Sequence, residues 1–307
     1  MSAEEQDETL SVEERLSRVV GYFNKHLVVL VARSEHWAGP YVATTFVISV
    51  ADQWFLATAG HVLEDLQSEI ARVPDGAVQF MLVDSGGLDA KDFTPVPFVL
   101  DANLPLVLGD DSDFDYAAIP LSPFYRRQLE ANGIAALDEQ VWEKQPTSAD
   151  YFVLLGVPRE LVTPQPDGTL DLGYSMHVLQ YRPDPPDGFK EKKGPRFHFD
   201  IAMGAGVDIK GMSGGPVFAL RREPNDQLRY WLIGVQSSWL PVSKVVATCP
   251  APILGETLSL MIRTPDEVVE LVLAQRRQID ALREEIRTLR EHLDQLGDPS
   301  GSAEPTE

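Results

Sequence analysis

The chain is nearly devoid of cysteine: Cys249 is the only one in 307 residues. A single thiol forms no internal disulfide, so a cross-linked secreted scaffold is excluded and the fold must stand on a hydrophobic core, which a chain of this length can build. The same scarcity points to a reducing compartment. Positive charge is short as well, with 26 Lys and Arg against 47 Asp and Glu and a formal charge of −21. With no local basic patch, binding to a phosphate backbone through counterion release is excluded, and no nucleic-acid partner is expected. No apolar run approaches the roughly 18 residues of a membrane span. Residues 1–14 are acidic and lack the basic and apolar regions of a signal peptide. A soluble, cytoplasmic protein with no membrane partner is expected.

Residues 1–10 carry too little apolar content to bury and read as a disordered acidic N-terminus. Ser11 stands at capping-box spacing from Glu14, and Leu16, Val19, Val20 and Phe23 follow on one helical face, so an N-terminal helix lying on a domain surface is expected. From His26 to Trp239 the texture changes to short β-rich runs. These are Leu27 to Ala32, Ala43 to Val50, Trp54 to Ala57, Val78 to Val83, Tyr116 to Leu121, Tyr151 to Val157, Tyr174 to Tyr181, Arg196 to Ile201, Pro216 to Leu220 and Trp231 to Gln236. Such runs between turn signals favour an all-β barrel or sandwich. The stretch Pro183 to Pro195, rich in Pro and charge, reads as a mobile loop.

The composition changes near Arg263, which divides a domain over 11–263 from an appendage. Thr264 and Pro265 suit the cap and first position of a helix over 264–296. Ile279, Leu282, Ile286, Leu289, Leu293 and Leu296 form a heptad seam with mostly Ile at a and Leu at d, and Glu285 at g can reach Arg290 at e of a second chain. A short parallel coiled coil, and so a homodimer or a partner held by this helix, fits the seam; packing of the seam on its own domain fits it too. Residues 297–307 read as a disordered tail.

Three fragments carry chemistry. In Ala57-Thr58-Ala59-Gly60-His61-Val62, a histidine follows a strand among small neighbours that leave room to approach the imidazole. In Asp110-Asp111-Ser112-Asp113-Phe114-Asp115, four Asp lie within six residues without the glycine and closing Glu of a calcium loop. Only Asp115 stands at the start of the next β run, where its carboxylate can be buried and aimed. In Gly211-Met212-Ser213-Gly214-Gly215-Pro216, flanking glycines allow a sharp turn that points the amides of Gly211 and Ser213 at one spot beside the Ser213 hydroxyl, an oxyanion hole. His26, His36, His177 and His198 show no metal-ligand spacing, so neither metal nor cofactor is expected.

His61, Asp115 and Ser213 occur in the order of the chymotrypsin-type triad. Over Leu27 to Trp239 the chain resembles the trypsin-like (chymotrypsin-fold) serine peptidases, and among them the bacterial disulfide-free branch that includes the HtrA-type proteases. Thr58-Ala59-Gly60-His61 stands for the family's Thr-Ala-Ala-His, Asp115-Tyr116-Ala117-Ala118-Ile119 for its Asp-Leu-Ala pattern, and Gly211 to Pro216 for its Gly-Asp-Ser-Gly-Gly-Pro. The resemblance implies a double β-barrel with the site in the cleft, a polypeptide substrate, and His61, Asp115 and Ser213 as catalytic residues. It also places the pocket base at Val207, which disfavours Lys or Arg before the scissile bond, or, with the alignment shifted by one, at Asp208, which reverses that preference, and a substrate-pairing wall at Ser237, Ser238 and Trp239. Trp239 stands where the family often has Gly, so its ring either narrows the pocket or packs as a strand-end aromatic. Met212 replaces the Asp that pairs with a new N-terminus in secreted zymogens, so activation by N-terminal cleavage is not expected. Two readings follow: an intracellular serine endopeptidase gated by a partner or self-association, or a protease-like binding module with weak or no hydrolysis.

Overall fold

The computed structural model describes residues 21–84, 95–100, 106–108, 114–165, 169–187, 189, 194–203, 208–224, 227–263 and 287. The fold is mostly β, with a seven-stranded antiparallel sheet, a closed six-stranded barrel and few helices.

The sheet holds β1 (Leu27–Arg33), β2 (Tyr41–Val50), β3 (Gln53–Thr58), β4 (Gln79–Val83), β5 (Val96–Phe98), β6 (Leu106–Leu108) and β7 (Tyr116–Pro120), in the order β5-β4-β1-β2-β3-β7-β6. Strand β1 is buried on both faces, which explains its unbroken apolar run. Val28, Leu30 and Ala32 enter a core with Val62, Leu63 and Leu66. Val29 and Val31 face the opposite way, onto Val83 and Val157. The period-2 alternation of a strand thus divides β1 between two clusters. The β2–β3 hairpin turns through Ala51 and Asp52, both with positive φ, and side chains from elsewhere hold it: Glu139 accepts from the Ala51 amide at 2.7 Å and Arg126 grips Asp52 at 2.9 Å.

The barrel is built from β8 (Tyr151–Gly156), β11 (Ser175–Arg182), β12 (Phe197–Met203), β13 (Pro216–Arg222), β14 (Leu228–Leu240) and β15 (Val245–Pro250), closed in the order β11-β12-β15-β14-β13-β8. A separate two-stranded ribbon of β9 (Val162–Pro164) and β10 (Leu170–Leu172) packs Val162, Leu170 and Leu172 on the Val29 and Val31 side of β1. Leu154, Leu179, Phe199, Met212, Val217 and Ile233 fill the barrel core. Met212, from the glycine-rich fragment, is fully buried there, so the space beneath that turn is occupied by the chain's own thioether.

Among the described residues, α1 (Gly60–Ile70), α2 (Pro123–Ala131) and α3 (Glu139–Trp142) lie between strands, and α4 (Ala251–Ile262) follows β15. None of these was expected from the β-rich texture. Strand β15 was missed as well, because Val-Val-Ala-Thr-Cys-Pro sits beyond the last glycine-marked run. Residues 21–24 are the helical end of the N-terminal segment; the disordered 1–10 and the helix start at Ser11 lie outside the described residues. The chain divides into units before and after residue 258. Of the second, 258–262 complete α4 and Arg287 is helical, while the rest of the heptad seam and the tail 297–307 lie outside the described residues.

Candidate active site

The site begins with a helix that lacks a cap of its own. Ala59 precedes α1 and offers no side-chain acceptor to the first-turn amides. Asp115, at the entry to β7, supplies it from another part of the chain: one carboxylate oxygen accepts from the His61 amide at 2.9 Å. The other accepts from His61 Nδ1 at 2.8 Å. A carboxylate at a helix N-terminus satisfies an orphan donor and opposes the positive end of the helix dipole. With both oxygens engaged, Asp115 is 2% exposed. Because a carboxylate only accepts, the proton of neutral His61 resides on Nδ1, which leaves Nε2 as a bare lone pair. Burial works against the imidazolium, but the hydrogen bond and charge of Asp115, helped by Asp65 and Glu64, outweigh it and hold His61 above its ordinary range.

The glycine-rich fragment forms a stapled turn. Met212 N donates to Ile209 O at 2.9 Å and Gly215 N to Met212 O at 2.8 Å. Gly214 N donates to Gln236 O and Gln236 N to Gly215 O, both at 2.9 Å, which ties the turn to β14. Gly211 and Gly214 have φ of +96° and +87°, in the region that favours glycine. A Cβ on Gly214 would strike Thr58 Oγ1 and come within 2.7 Å of the Thr44 carbonyl, so the glycine also lets the turn seat against the strand that leads to His61. Arg159 N donates to Lys210 O at 2.8 Å. In a trans peptide the N–H points opposite the carbonyl, so this bond turns the Gly211 amide away from Arg159. Among the described residues, neither the Gly211 nor the Ser213 amide has an acceptor in the chain.

Thr44 joins the sheet to this turn, and nothing in the sequence singled it out. Its hydroxyl accepts from Val157 N at 3.0 Å and donates to Gly211 O at 3.2 Å. Thr58 Oγ1 in turn donates to Thr44 O at 2.9 Å. A β-run threonine gives no sequence signal for such a role, since alternation alone makes it a strand former.

His61, Gly211 and Ser213 line one cleft of about 830 Å³. His61 and Asp115 are directly bonded, whereas Ser213 shares the cleft and, among the described residues, makes no hydrogen bond to the imidazole. Ser237, Ser238 and Trp239 do not line this cleft. Ser237 lies at a bulge in β14 and donates to Ala247 O at 3.2 Å. Trp239 packs against the barrel core, the strand-end alternative of the two. Val207, and with it the proposed pocket base, lies outside the described residues, as do Asp110 to Asp113. Cys249 is buried behind Asp115. Burial pushes its thiol up, against the Arg196 charge, a hydrogen bond with the Asp115 backbone and another with Ser237. The lone cysteine is thus a packing and backing residue for the Asp115 segment.

No known family profile matches the chain, and no curated protein matches it in sequence. Solved structures align with its backbone at low scores. An inactivated protease paralogue of the scabies mite gives a TM-score of 0.45 at 16% identity, covering 78% of this chain and 95% of that one. The active form of the Rv3671c protease of M. tuberculosis gives 0.39 at 16%, covering 81% and 86%. The protease of tobacco vein mottling virus gives 0.40 at 8%, covering 74% and 77%. Likeness of this degree concerns backbone shape alone.

Proposed function

We propose that this chain is a serine endopeptidase that cleaves peptide bonds through an acyl-enzyme on Ser213. The reading is carried by one observation: an imidazole oriented by a buried carboxylate at Nδ1, on a residue that lines one cleft with Ser213 and Gly211. Ser213 Oγ attacks the carbonyl carbon while His61 Nε2 takes its proton. Asp115 holds the tautomer and stabilises the imidazolium, and the amides of Gly211 and Ser213 receive the oxyanion. His61 then returns the proton to the leaving amine, and water repeats the sequence to release the acyl group. A seven-stranded sheet and a closed six-stranded barrel, both contributing residues to the cleft, support this assignment, and with it we propose a double-barrel fold near the HtrA-type branch. By the resemblance, the residue before the scissile bond is assigned to a pocket at Val207 with Ser237 and Ser238; the Trp239 ring packs on the barrel core and does not line the cleft. The burial of Met212 supports a turn that needs no new N-terminus to hold it. A working place in the cytoplasm rests on the single thiol, and gating by a partner or by self-association on the heptad pattern of 264–296.

The test is labelling by a fluorophosphonate followed by intact-mass measurement. Wild type should gain one adduct, Ser213→Ala none, and His61→Ala should label at least about 10²-fold more slowly. Equal labelling of wild type and Ser213→Ala would refute the assignment.

A further inference from the structure

The cleft reaches well beyond the reacting groups, and its two walls differ in charge. One wall is helix α1, which presents Asp65, Glu69 and, just past its end, Arg72; the facing wall presents Arg159 and Lys210. Between them the surface is apolar, from Tyr41, Val42 and Val62 on one side to Val157 and Val162 on the other. The charges on the α1 wall are not equivalent. Arg72 Nη1 pairs with Glu69 Oε1 at 2.5 Å, which cancels both. Asp65 forms no ion pair among the described residues, and neither do Arg159 and Lys210.

Asp65 lies one helical turn beyond His61, so it borders the reacting centre. The field of Asp65 reaches both His61 and Tyr41, and it adds to what raises each. Tyr41 donates its hydroxyl to Val62 O at 2.7 Å, which braces the strand wall against α1. Lys210 and Arg159 border the other edge through the Gly211 turn. An extended peptide alternates its side chains between two sides, so consecutive residues of one segment would face opposite walls.

We infer that this cleft sorts the leaving segment of a polypeptide substrate by charge, taking a basic side chain toward Asp65 and an acidic neighbour toward Arg159 and Lys210. The inference rests on the peptidase reading and names what that site prefers on the side of the bond that departs. Uncancelled charge of opposite sign on two facing walls gives selectivity where a uniformly acidic surface would take any cation. All three side chains are exposed, so each contact is worth about what a solvent-exposed ion pair is worth, roughly two- to fivefold in rate.

Acyl transfer reads the leaving side alone. The acyl-enzyme is formed from the 4-nitrophenyl ester of acetyl-phenylalanine, and dipeptide amides compete with water for it. The dipeptide α-amine attacks the ester carbonyl, Ser213 Oγ departs, and the amine proton passes to it through His61. The nucleophiles are Ala-Ala, Lys-Lys, Glu-Glu, Lys-Glu and Glu-Lys amides. One of the two mixed orders should capture the acyl group about two- to fivefold better than Ala-Ala, and better than either like-charged dipeptide. Asp65→Asn should remove the gain due to Lys, and Arg159→Gln with Lys210→Gln the gain due to Glu. Raising salt to 0.5 M should shrink both. A nitrophenol burst with charge-blind capture, or gains unchanged by the substitutions, would overturn the inference and leave the peptidase reading standing. Absence of the burst, together with absence of fluorophosphonate labelling, would overturn both.

Discussion

Replacing Thr44 by valine keeps the shape of a buried side chain and deletes the hydroxyl that connects the sheet to the Gly211 turn. Two groups lose their partner. The Val157 amide belongs to a residue that is 2% exposed, so it is left unpaired away from water, at a cost of about 1–3 kcal/mol. The Gly211 carbonyl borders the open cleft and regains a water, so its loss is small. The expected destabilisation is therefore about 2 kcal/mol, a factor of about 30 in the folding constant, read from the denaturant midpoint. The turn also loses a fixed point beside the Gly211 amide. Labelling by a fluorophosphonate should slow by up to about tenfold, short of the ~10²–10³ expected when an oxyanion donor is removed outright. Thr45→Val is the control, since the Thr45 hydroxyl donates to Val28 O within the sheet and Thr45 alternates to the other face of β2. It should lose stability without slower labelling at saturating fold. If Thr44→Val labels as fast as Thr45→Val, the coupling of the hydroxyl to the turn is wrong; if its stability is unchanged, so is the account of the Val157 amide.

Asp115→Asn should fold but label about 10⁴-fold more slowly, because its amide donates to His61 Nδ1 and forces the proton onto Nε2. The labelling rate of wild type should rise with pH about a midpoint above 6.5, since attack needs a neutral His61 and that group is held above its ordinary range; a midpoint below 6.5 would count against the Asp115 pairing. The linked stability has the matching sign: a raised histidine stabilises fully below 6.5, and the contribution fades as pH climbs through the folded value. His26 does the reverse. Burial lowers it from 6.5 to about 4, and its donation to Ala135 O and acceptance from Tyr230 fix the neutral form. The unfolded chain takes a proton below pH 6.5 that the folded chain refuses, so about 3 kcal/mol of stability should vanish between pH 6.5 and 4. Acid titration of unfolding should show that slope in wild type and much less of it in His26→Gln. Gly214→Ala should impair folding or the turn, because positive φ and the contact with Thr58 and Thr44 leave no room for a methyl group.

Much of the β framework was legible in the residues. Short runs of Val, Ile and aromatic residues between turn signals marked the strands because burial on a pleated surface selects those side chains locally. The helices were less visible: α1 begins at Gly60 in a motif read for its histidine, and its cap is a carboxylate 54 positions away. The sequence by itself determined that the fold would rest on a disulfide-free β core, that a glycine-rich turn would carry Ser213, and that Asp115 among its acidic neighbours was the carboxylate placed to be buried. These are properties of local composition and backbone freedom. Only the tertiary structure decided that Asp115 caps α1 with one oxygen and orients His61 with the other, that Thr44 ties the Gly211 turn to the sheet, that Trp239 packs on the barrel, and that Asp65, Arg159 and Lys210 line one cleft. Each of these joins residues far apart in the chain, through hydrogen bonds or packing that no periodicity encodes.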